Sequence, residues 1–260
     1  MDANYQFEAG NDASGAGVMV HERLSRDVAM KEERLPFTVS IVRNEEKLAK
    51  AVSIRHSAYG RHLPVLAETL KEPEINDLEP GAVVLLAESK LDGSPMGTMR
   101  IQTNEFKKLA VEDSLELPAY LRNASMAEAT RLGVSLGRVG RLVKTVLFKA
   151  FYQYCVEADI EWMVIAGRAP LDKQYESLLF HDVVPGGGFI PLRHAANLPH
   201  RVLAFEVETA QERWANANHP LFDFMVRTHH PDIDFCTGRS DHSHASVLPV
   251  DFGRKAAIRA

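Results

Sequence analysis

The sequence predicts an α/β fold in which a mixed sheet is flanked by helices. Apolar segments of strand length alternate with segments whose apolar residues recur at helical spacing. Two neighbouring strands are joined by a short turn, which indicates an antiparallel hairpin. Two later strands are joined through a helix, which indicates a parallel crossover. Both strand directions are therefore expected in one sheet.

The first part of the sheet is predicted from residue 36 onward. PFTVSIVRN alternates apolar and polar residues, which indicates a strand. Asn44 can cap the helix that follows over 44–63. Two further strands, 80–89 and 95–103, flank the turn sequence KLDGS and are expected to form the hairpin.

The second part of the sheet surrounds a long helix. A strand at 125–134 precedes the helix at 136–158, whose wide apolar stripe is expected to pack on the sheet. Residues 161–167 are almost continuously apolar, as in a strand buried on both faces. A short helix over 170–180 that opens with proline and a strand at 201–209 follow.

The sequence predicts one domain over residues 36–235, with one or two helices at 210–230 near its end. Residues 1–35 are rich in small and acidic residues and show weak periodicity, so a flexible N-terminal tail is expected. Residues 236–260 are expected to form an irregular C-terminal tail.

Composition excludes several classes of protein. The net charge of −5 provides no basic excess to neutralise phosphates, so no nucleic-acid partner is expected. No apolar run approaches the ~20 residues of a membrane span, so no integral membrane segment is expected. Cys155 falls on an apolar helix face and Cys236 has no CxxC partner, which favours free thiols and a cytoplasmic location. The histidines show no third ligand at zinc spacing, so no metal is expected.

The strand at 125–134 contains an opposite-charge pair, Glu128 and Arg131. On a regular strand, residues three apart point to opposite faces, so the two meet only if a bulge intervenes. A charged side chain on a central strand is costly to bury unless it is paired. The spacing alone leaves two interpretations open: an ordinary surface glutamate with a salt-bridged arginine, or a pair retained for chemistry.

Three segments, in order along the chain, resemble one group of enzymes. EATR resembles the Glu-x-x-Arg strand motif of acyl-homoserine-lactone synthases and the related N-acyl amino acid synthases. GTMRIQT resembles their Gly-x-x-Arg-hydrophobic-x-Thr strand, and IRHSAYGRHL resembles their first helix. The likeness extends over about residues 37–207. It implies the fold of the GCN5-related N-acyltransferases, with a mixed sheet flanked by helices.

The resemblance also implies roles for the matching residues. Arg55 and Tyr59 would border the substrate cleft on the first helix, and Arg100 would lie on a central strand. Asp77 would be the second acid of an acidic pair, at whose first position this chain has Glu74. The lactone synthases carry a tryptophan after the first helix, where GRHLPV stands here. This departure favours a free amino acid over S-adenosylmethionine as acceptor.

Acyl transfer from a thioester to an amine needs a base, a donor to the carbonyl oxygen, and a proton for the leaving thiolate. Glu128 is the candidate base, because a buried carboxylate can take the ammonium proton directly or through a water. Arg55, Arg100 and Arg131 are the candidates to bind an amino-acid carboxylate. Backbone N–H groups at Leu132, Gly133 and Val134 are candidates to hold the thioester carbonyl, because Gly133 permits a departure from the ladder.

The donor end is predicted from local charge. The stretch from Arg131 to Lys149 has five basic residues and no acid. Arg138, Arg141 and Lys144 are the candidates to bind phosphopantetheine and its acyl carrier protein, near a helix N-terminus suited to a phosphate. LGRVGR is a degenerate version of the coenzyme A motif of this fold. A solvated basic helix face is the alternative.

The sequence therefore predicts an N-acyltransferase that moves a long-chain acyl group from acyl carrier protein, or from coenzyme A, to the α-amine of an amino acid. No cofactor is expected beyond the phosphopantetheine or coenzyme A of the donor. Three alternatives stay open: an acetyl-coenzyme A dependent acetyltransferase, a non-catalytic binding protein of the same fold, and a lactone synthase that consumes S-adenosylmethionine.

Overall fold

The structure is a computed structural model and describes residues 30–235. Its strands are β1 (Lys31–Glu32), β2 (Phe37–Ile41), β3 (Ala82–Ser89), β4 (Pro95–Thr103), β5 (Met126–Val134), β6 (Trp162–Gly167), β7 (His181–Asp182), β8 (Ile190–Leu192), β9 (Leu198–Glu206), β10 (Thr228–His229) and β11 (Ile233–Asp234). Its helices are α1 (Glu45–Gly60), α2 (Pro64–Glu68), α3 (Ala119–Arg122), α4 (Gly137–Glu157), α5 (Asp172–Ser177) and α6 (Ala210–Asn216).

The main sheet is mixed, as predicted. Its strand order is β11-β2-β3-β4-β5-β6-β9-β7, and β8 pairs with β9 outside this path. The pairs β2–β3, β3–β4 and β4–β5 are antiparallel, and the KLDGS turn joins β3 to β4. Strand β11 pairs parallel with β2. Strands β5 and β6 pair parallel because α4 connects them, which is the predicted crossover.

Helices cover both faces of the sheet, and this divides β5 into an apolar and a polar side. Ala127 and Ala129 lie in the core with Val143 and Leu147 of α4. Successive strand residues point to opposite faces, so Glu128 and Thr130 face the side on which α1 packs. Gly133 allows α1 to approach, because a Cβ at that position would lie 3.1 Å from the Cα of Arg55.

The prediction of one or two helices after β9 is confirmed in the part of the chain that the structure describes. The first is the α-helix α6, and the second is a π-helical segment at Asp223–Arg227. The buried ammonium of Lys149 in α4 donates to the carbonyl oxygens of Phe224 and Thr228 and lies 2.9 Å from Nδ1 of His230. These contacts attach the end of the π-helical segment to α4.

The two predicted tails lie mostly outside the described residues. Of the stretch 1–35, residues 30–35 are described, and β1 within it pairs parallel with β10. The N–H of Leu35 donates to Asp232 at 2.7 Å. Backbone pairing thus begins before residue 36, the predicted start of the domain. The predictions for residues 1–29 and 236–260 fall outside the described chain.

Two predictions about composition can be compared with the structure. Cys155 is a free, fully buried thiol on α4, as predicted, whereas Cys236 lies outside the described residues. Between residues 30 and 235, no helix combines the length and the apolar character needed to cross a bilayer.

Candidate active site

Strand β5 contains a bulge that brings its two charged residues to one face. Thr98 of β4 pairs with Gly133 and Arg100 pairs with Thr130, so a single β4 residue opposes both Arg131 and Leu132. Arg131 adopts a left-handed conformation with φ of 55°. The predicted departure from the ladder therefore lies at Arg131, while Gly133 remains paired.

Three arginines and two carboxylates form a buried network beside this bulge. Arg131 donates to both oxygens of Glu74, from Nε at 2.6 Å and from a terminal nitrogen at 2.7 Å. Arg55 binds both oxygens of Asp77, at 2.8 and 2.9 Å. Arg100 contacts both acids at 3.2 Å. The network holds three positive and two negative charges, so it carries one surplus positive charge.

Burial alone would raise the pKa of both acids in the network. For Glu74, the hydrogen bond and charge of Arg131 outweigh burial and hold its pKa below the ordinary value. Arg55 has the same effect on the pKa of Asp77, whose side chain is fully buried. Both acids are thus ionised near neutral pH, and neither is suited to accept a proton.

Glu128 has the opposite electrostatic environment. Its side chain is fully buried, and burial raises its pKa to about 7. The N–H of Val111 donates to Oε2 at 3.2 Å, and the charges of Arg100 and Arg131 act against the rise. A carboxyl that is half ionised near pH 7 can act as a general base at neutral pH.

Strands β5 and β6 separate beyond Ala129. Their ladder runs from Met126 and Trp162 to Ala129 and Ile165, although β5 continues for five further residues. A cavity of about 620 Å³ opens in this gap. Its lining is Ala58, Tyr59, Arg61, His62, Leu63, Ala129, Thr130, Arg131, Leu132, Gly133, Val134, Lys144, Ile165, Ala166, Gly167, Arg168, Ala169, Pro170, Leu171, Tyr175 and His200.

A smaller chamber of about 60 Å³ adjoins this cavity, and the two share Tyr59, Thr130, Arg131 and His200 among their lining residues. The chamber is also lined by His194. Burial lowers the pKa of His194 to about 4, with a further contribution from the charge of Arg131, so this imidazole is neutral at physiological pH. The chamber thus combines neutral hydrogen-bonding groups with the surplus positive charge of the network.

The structure separates the predicted substrate-binding residues into two groups. Tyr59, Leu132, Gly133 and Val134 line the cavity, and Arg131 lines both the cavity and the chamber. Arg55 and Arg100 are instead buried, at 0% and 3% exposure of the side chain. A direct contact of either arginine with substrate would require its ion pair to open. Their geometry suits them to hold Glu74 and Asp77.

The predicted donor-binding residues lie at the first turns of α4. Arg138 and Arg141 are exposed there. Lys144 lines the cavity and donates to the side chain of Gln174 on α5, across the gap between the two helices. Gly140 is required at this turn, because a Cβ there would lie 1.8 Å from the carbonyl oxygen of Ser135. No side chain of the described residues caps the first N–H groups of α4.

Sequence reasoning did not identify His194 or His200. Both lie more than sixty residues after Glu128 in regions without a periodic pattern, and only tertiary structure brings them to the chamber. Glu74 was noted in the sequence only because it replaces the first acid of the family's acidic pair. The structure shows that both oxygens of Glu74 accept hydrogen bonds from Arg131. Among residues 30–235, no cluster of His, Cys, Asp or Glu forms a candidate metal site.

A mixed sheet with helices on both faces and two parallel strands that separate at mid-sheet defines the fold of the GCN5-related N-acyltransferases, as the sequence predicted. The structure of FeeM, an N-acyl amino acid synthase from uncultured soil microbes, is similar to this chain with a TM-score of 0.53 and 16% identity. The similarity covers 70% of this chain and 96% of FeeM.

Two further solved structures are similar at lower scores. The coenzyme A-dependent acyl-homoserine lactone synthase BjaI has a TM-score of 0.49, 15% identity, and coverage of 75% of this chain and 93% of its own. NAA60 from Arabidopsis thaliana has a TM-score of 0.45, 14% identity, and coverage of 66% and 99%. The similarity to FeeM shows the fold. No family model matches the sequence, and no curated protein matches it either.

Proposed function

We propose that this protein is an N-acyltransferase that moves a long-chain acyl group from a thioester to the α-amine of an amino acid. One observation carries the proposal. A buried carboxyl with a pKa of about 7, Glu128, belongs to the strand that separates from its neighbour to open a large cavity. The fold shared with FeeM, an N-acyl amino acid synthase, is consistent with this reaction class.

Glu128 accepts the proton that the acceptor's ammonium group must lose before it can attack. The free nitrogen then forms a bond to the thioester carbon, and the carbon–sulfur bond breaks. Because Glu128 does not line the cavity itself, the proton reaches it through a water or a chamber-lining group. Gly133 and Ser135 pair with β4, so the N–H of Val134 between them points away from β4 along the separated part of β5, where it can stabilise the carbonyl oxygen.

The acceptor is an amino acid because the site carries a surplus positive charge beside the base. Glu74 and Asp77 neutralise two of the three guanidinium groups. Arg131 is the one of these three arginines that lines the chamber, and its Nε and one terminal nitrogen already bind Glu74. An α-carboxylate would therefore bind the other terminal nitrogen of Arg131, and its charge would balance the surplus of the network as a whole. This places the α-amine on the same side of the sheet as Glu128.

The donor occupies the larger cavity. Its volume of about 620 Å³ lies within the usual range for ligand pockets, about 300–1,000 Å³, and its lining includes Leu63, Leu132, Ile165 and Leu171. The uncapped N–H groups of α4 suit the phosphate of a phosphopantetheine arm. Exposed Arg138 and Arg141 beside them suit an acidic acyl carrier protein.

The leaving thiolate needs a proton, and Tyr175 is suited to supply it. Its ring lines the cavity and packs against Gly167 at the end of β6. Burial raises the pKa of Tyr175 above its ordinary value, so the phenol is protonated at neutral pH. Because a thiolate is a weaker base than this phenolate, the proton transfer has to be coupled to loss of a proton from the acylated nitrogen. The thiolate takes this proton, and the second proton of the acylated nitrogen returns to the phenolate.

Mass spectrometry of reaction products tests the proposal. Purified protein is incubated with a mixture of amino acids and, separately, with long-chain acyl carrier protein, long-chain acyl-coenzyme A or acetyl-coenzyme A. We expect N-acyl amino acids with the long-chain donors, and a loss of about 100-fold or more in Glu128→Gln. Glu88→Gln is the matched control, because Glu88 lies on another strand of the sheet, where it pairs with Lys50 of α1. Acetyl transfer without long-chain transfer would contradict the proposed donor.

A further inference from the structure

One carboxylate oxygen of Glu128 has no hydrogen-bond partner among the described residues. Oε2 accepts from the N–H of Val111, and the N–H of Ala110 also favours the ionised carboxylate. Oε1 is buried and has no hydrogen bond of ordinary geometry. Nε2 of His194 lies 3.9 Å from Oε1. Buried polar atoms are nearly always satisfied, so an unpaired oxygen at the proposed base needs a physical explanation.

The surroundings of His194 determine which of its nitrogens carries the proton. Nδ1 lies 3.2 Å from the carbonyl oxygen of Ala110, a group that can only accept. Nδ1 therefore carries the hydrogen, and Nε2 of the neutral ring presents a lone pair. An ionised Glu128 also presents lone pairs at Oε1, so the two atoms cannot form a hydrogen bond until a proton arrives.

We propose that His194 is a positioning residue that accepts a hydrogen bond from Glu128 once Glu128 has taken up the proton of the acceptor amine. The inference rests on the proposed function and extends its proton-transfer step. The nitrogen–hydrogen bond of the ammonium breaks and an oxygen–hydrogen bond forms at Oε1. A movement of about 1 Å then closes the contact with Nε2 to hydrogen-bond distance. The protonated base is stabilised without a second charge.

The other charged and titratable groups around the pair act in the opposite direction. Arg100 of β4 and Arg131 of β5 face Glu128, and both favour its ionised form. His200 of β9 faces His194, and its own pKa is lowered mainly by burial. Among these groups, His194 is the one placed to favour the protonated carboxyl by a hydrogen bond.

The test measures the titration of Glu128 in protein without substrate. The carboxylic acid band of Glu128 is assigned in infrared difference spectra against Glu128→Gln and followed between pH 5 and 9. Replacing His194 by Phe keeps the bulk and removes the acceptor. In His194→Phe we expect the midpoint of the Glu128 titration to fall by about one pH unit, because one hydrogen bond is worth roughly 1 kcal/mol. His200→Phe, at the second chamber histidine, is the control and should leave the midpoint unchanged.

Two results would overturn the inference. One is an unchanged Glu128 midpoint in His194→Phe. The other is an equal fall in His194→Phe and His200→Phe, which would mean that either substitution simply lets water reach Glu128. If near-ultraviolet circular dichroism shows that His194→Phe does not fold, His194→Leu decides, because its smaller apolar side chain also removes the acceptor and should lower the midpoint. The measurement uses no substrate. A shifted midpoint without acyl transfer to any acceptor would thus contradict the proposed function, whereas transfer with an unchanged midpoint would contradict the role of His194.

Discussion

Arg131 binds both carboxylate oxygens of Glu74 in a bidentate pair, at 2.6 and 2.7 Å, although the two residues lie on different elements. The pair forms because the bulge turns Arg131 to the polar face of β5. It connects the loop after α2 to the strand that carries Glu128. The pair therefore fixes the position of the Arg131 guanidinium that lines the chamber.

Replacing Glu74 by Gln should destabilise the protein. The change leaves three buried guanidinium groups with one carboxylate, and breaking a buried pair from one side costs about 3 kcal/mol. Urea unfolding monitored by circular dichroism measures the loss in the free energy of unfolding. Glu68→Gln, in an exposed pair with Lys71, should leave the midpoint unchanged. Equal midpoints for both variants would mean that the network contributes little to stability.

Replacing Glu128 by Gln should stabilise the protein at high pH. The folded-state pKa of about 7 exceeds the ordinary 4.5, so the wild type loses stability as pH rises between these values. Above pH 7 the ionised buried carboxyl disfavours the folded state by an amount on the order of 3 kcal/mol. Melting temperatures plotted from pH 4 to 8 should run parallel for wild type and Glu128→Gln at low pH and diverge above pH 5. Parallel curves throughout would argue that Glu128 is not held in an unfavourable environment.

Replacing Tyr175 by Phe should lower kcat by about 100-fold and leave KM nearly unchanged, because the hydroxyl acts on the leaving thiolate and not on ground-state binding. Steady-state assays of thiol release measure both constants. Tyr152→Phe is the control, since Tyr152 is a buried tyrosine that packs on Trp214, outside the cavity lining. A normal kcat in Tyr175→Phe would require another proton source.

Replacing Arg138 and Arg141 by Glu should make acyl carrier protein a poorer acyl donor. We expect kcat/KM for this donor to fall about tenfold at low salt and the difference to shrink as salt screens the charges. An acyl-pantetheine donor, which lacks the protein, should react at the wild-type rate. Arg122→Glu changes an exposed charge at the end of α3 and serves as the control. An equal loss with acyl-pantetheine would point to damage of the cavity itself.

The sheet and long helices were predictable because their periodicity is strong. The apolar pattern of 95–103 and 125–134 specifies strands, and one face of 136–158 specifies a packed helix. The sequence indicated only that Glu128 and Arg131 could reach the same face if the strand contained a bulge. No local sequence pattern predicts a left-handed backbone conformation at an arginine. Its position at Arg131 is set by pairing with β4, which only the folded sheet shows.

Other parts of the site depend on contacts between distant segments. The basic run from Arg131 to Lys149 was counted as one local excess of charge, but Lys149 follows Lys144 by five residues and is rotated about 140° around the helix. Its ammonium is consequently buried beside Phe224. His194 lies on a short helical turn between β8 and β9, and no spacing in the sequence relates it to Glu128.

The pH dependence of kcat/KM for N-acylation, measured in wild type and in Glu128→Gln, tests the central claim most directly. We expect wild-type activity to rise with pH through an apparent pKa near 7, as Glu128 ionises, and we expect this limb to be absent from the residual activity of the variant. A Glu128→Gln protein that acylates amines at the wild-type rate, with the same pH profile, would contradict the assignment of Glu128 as the base.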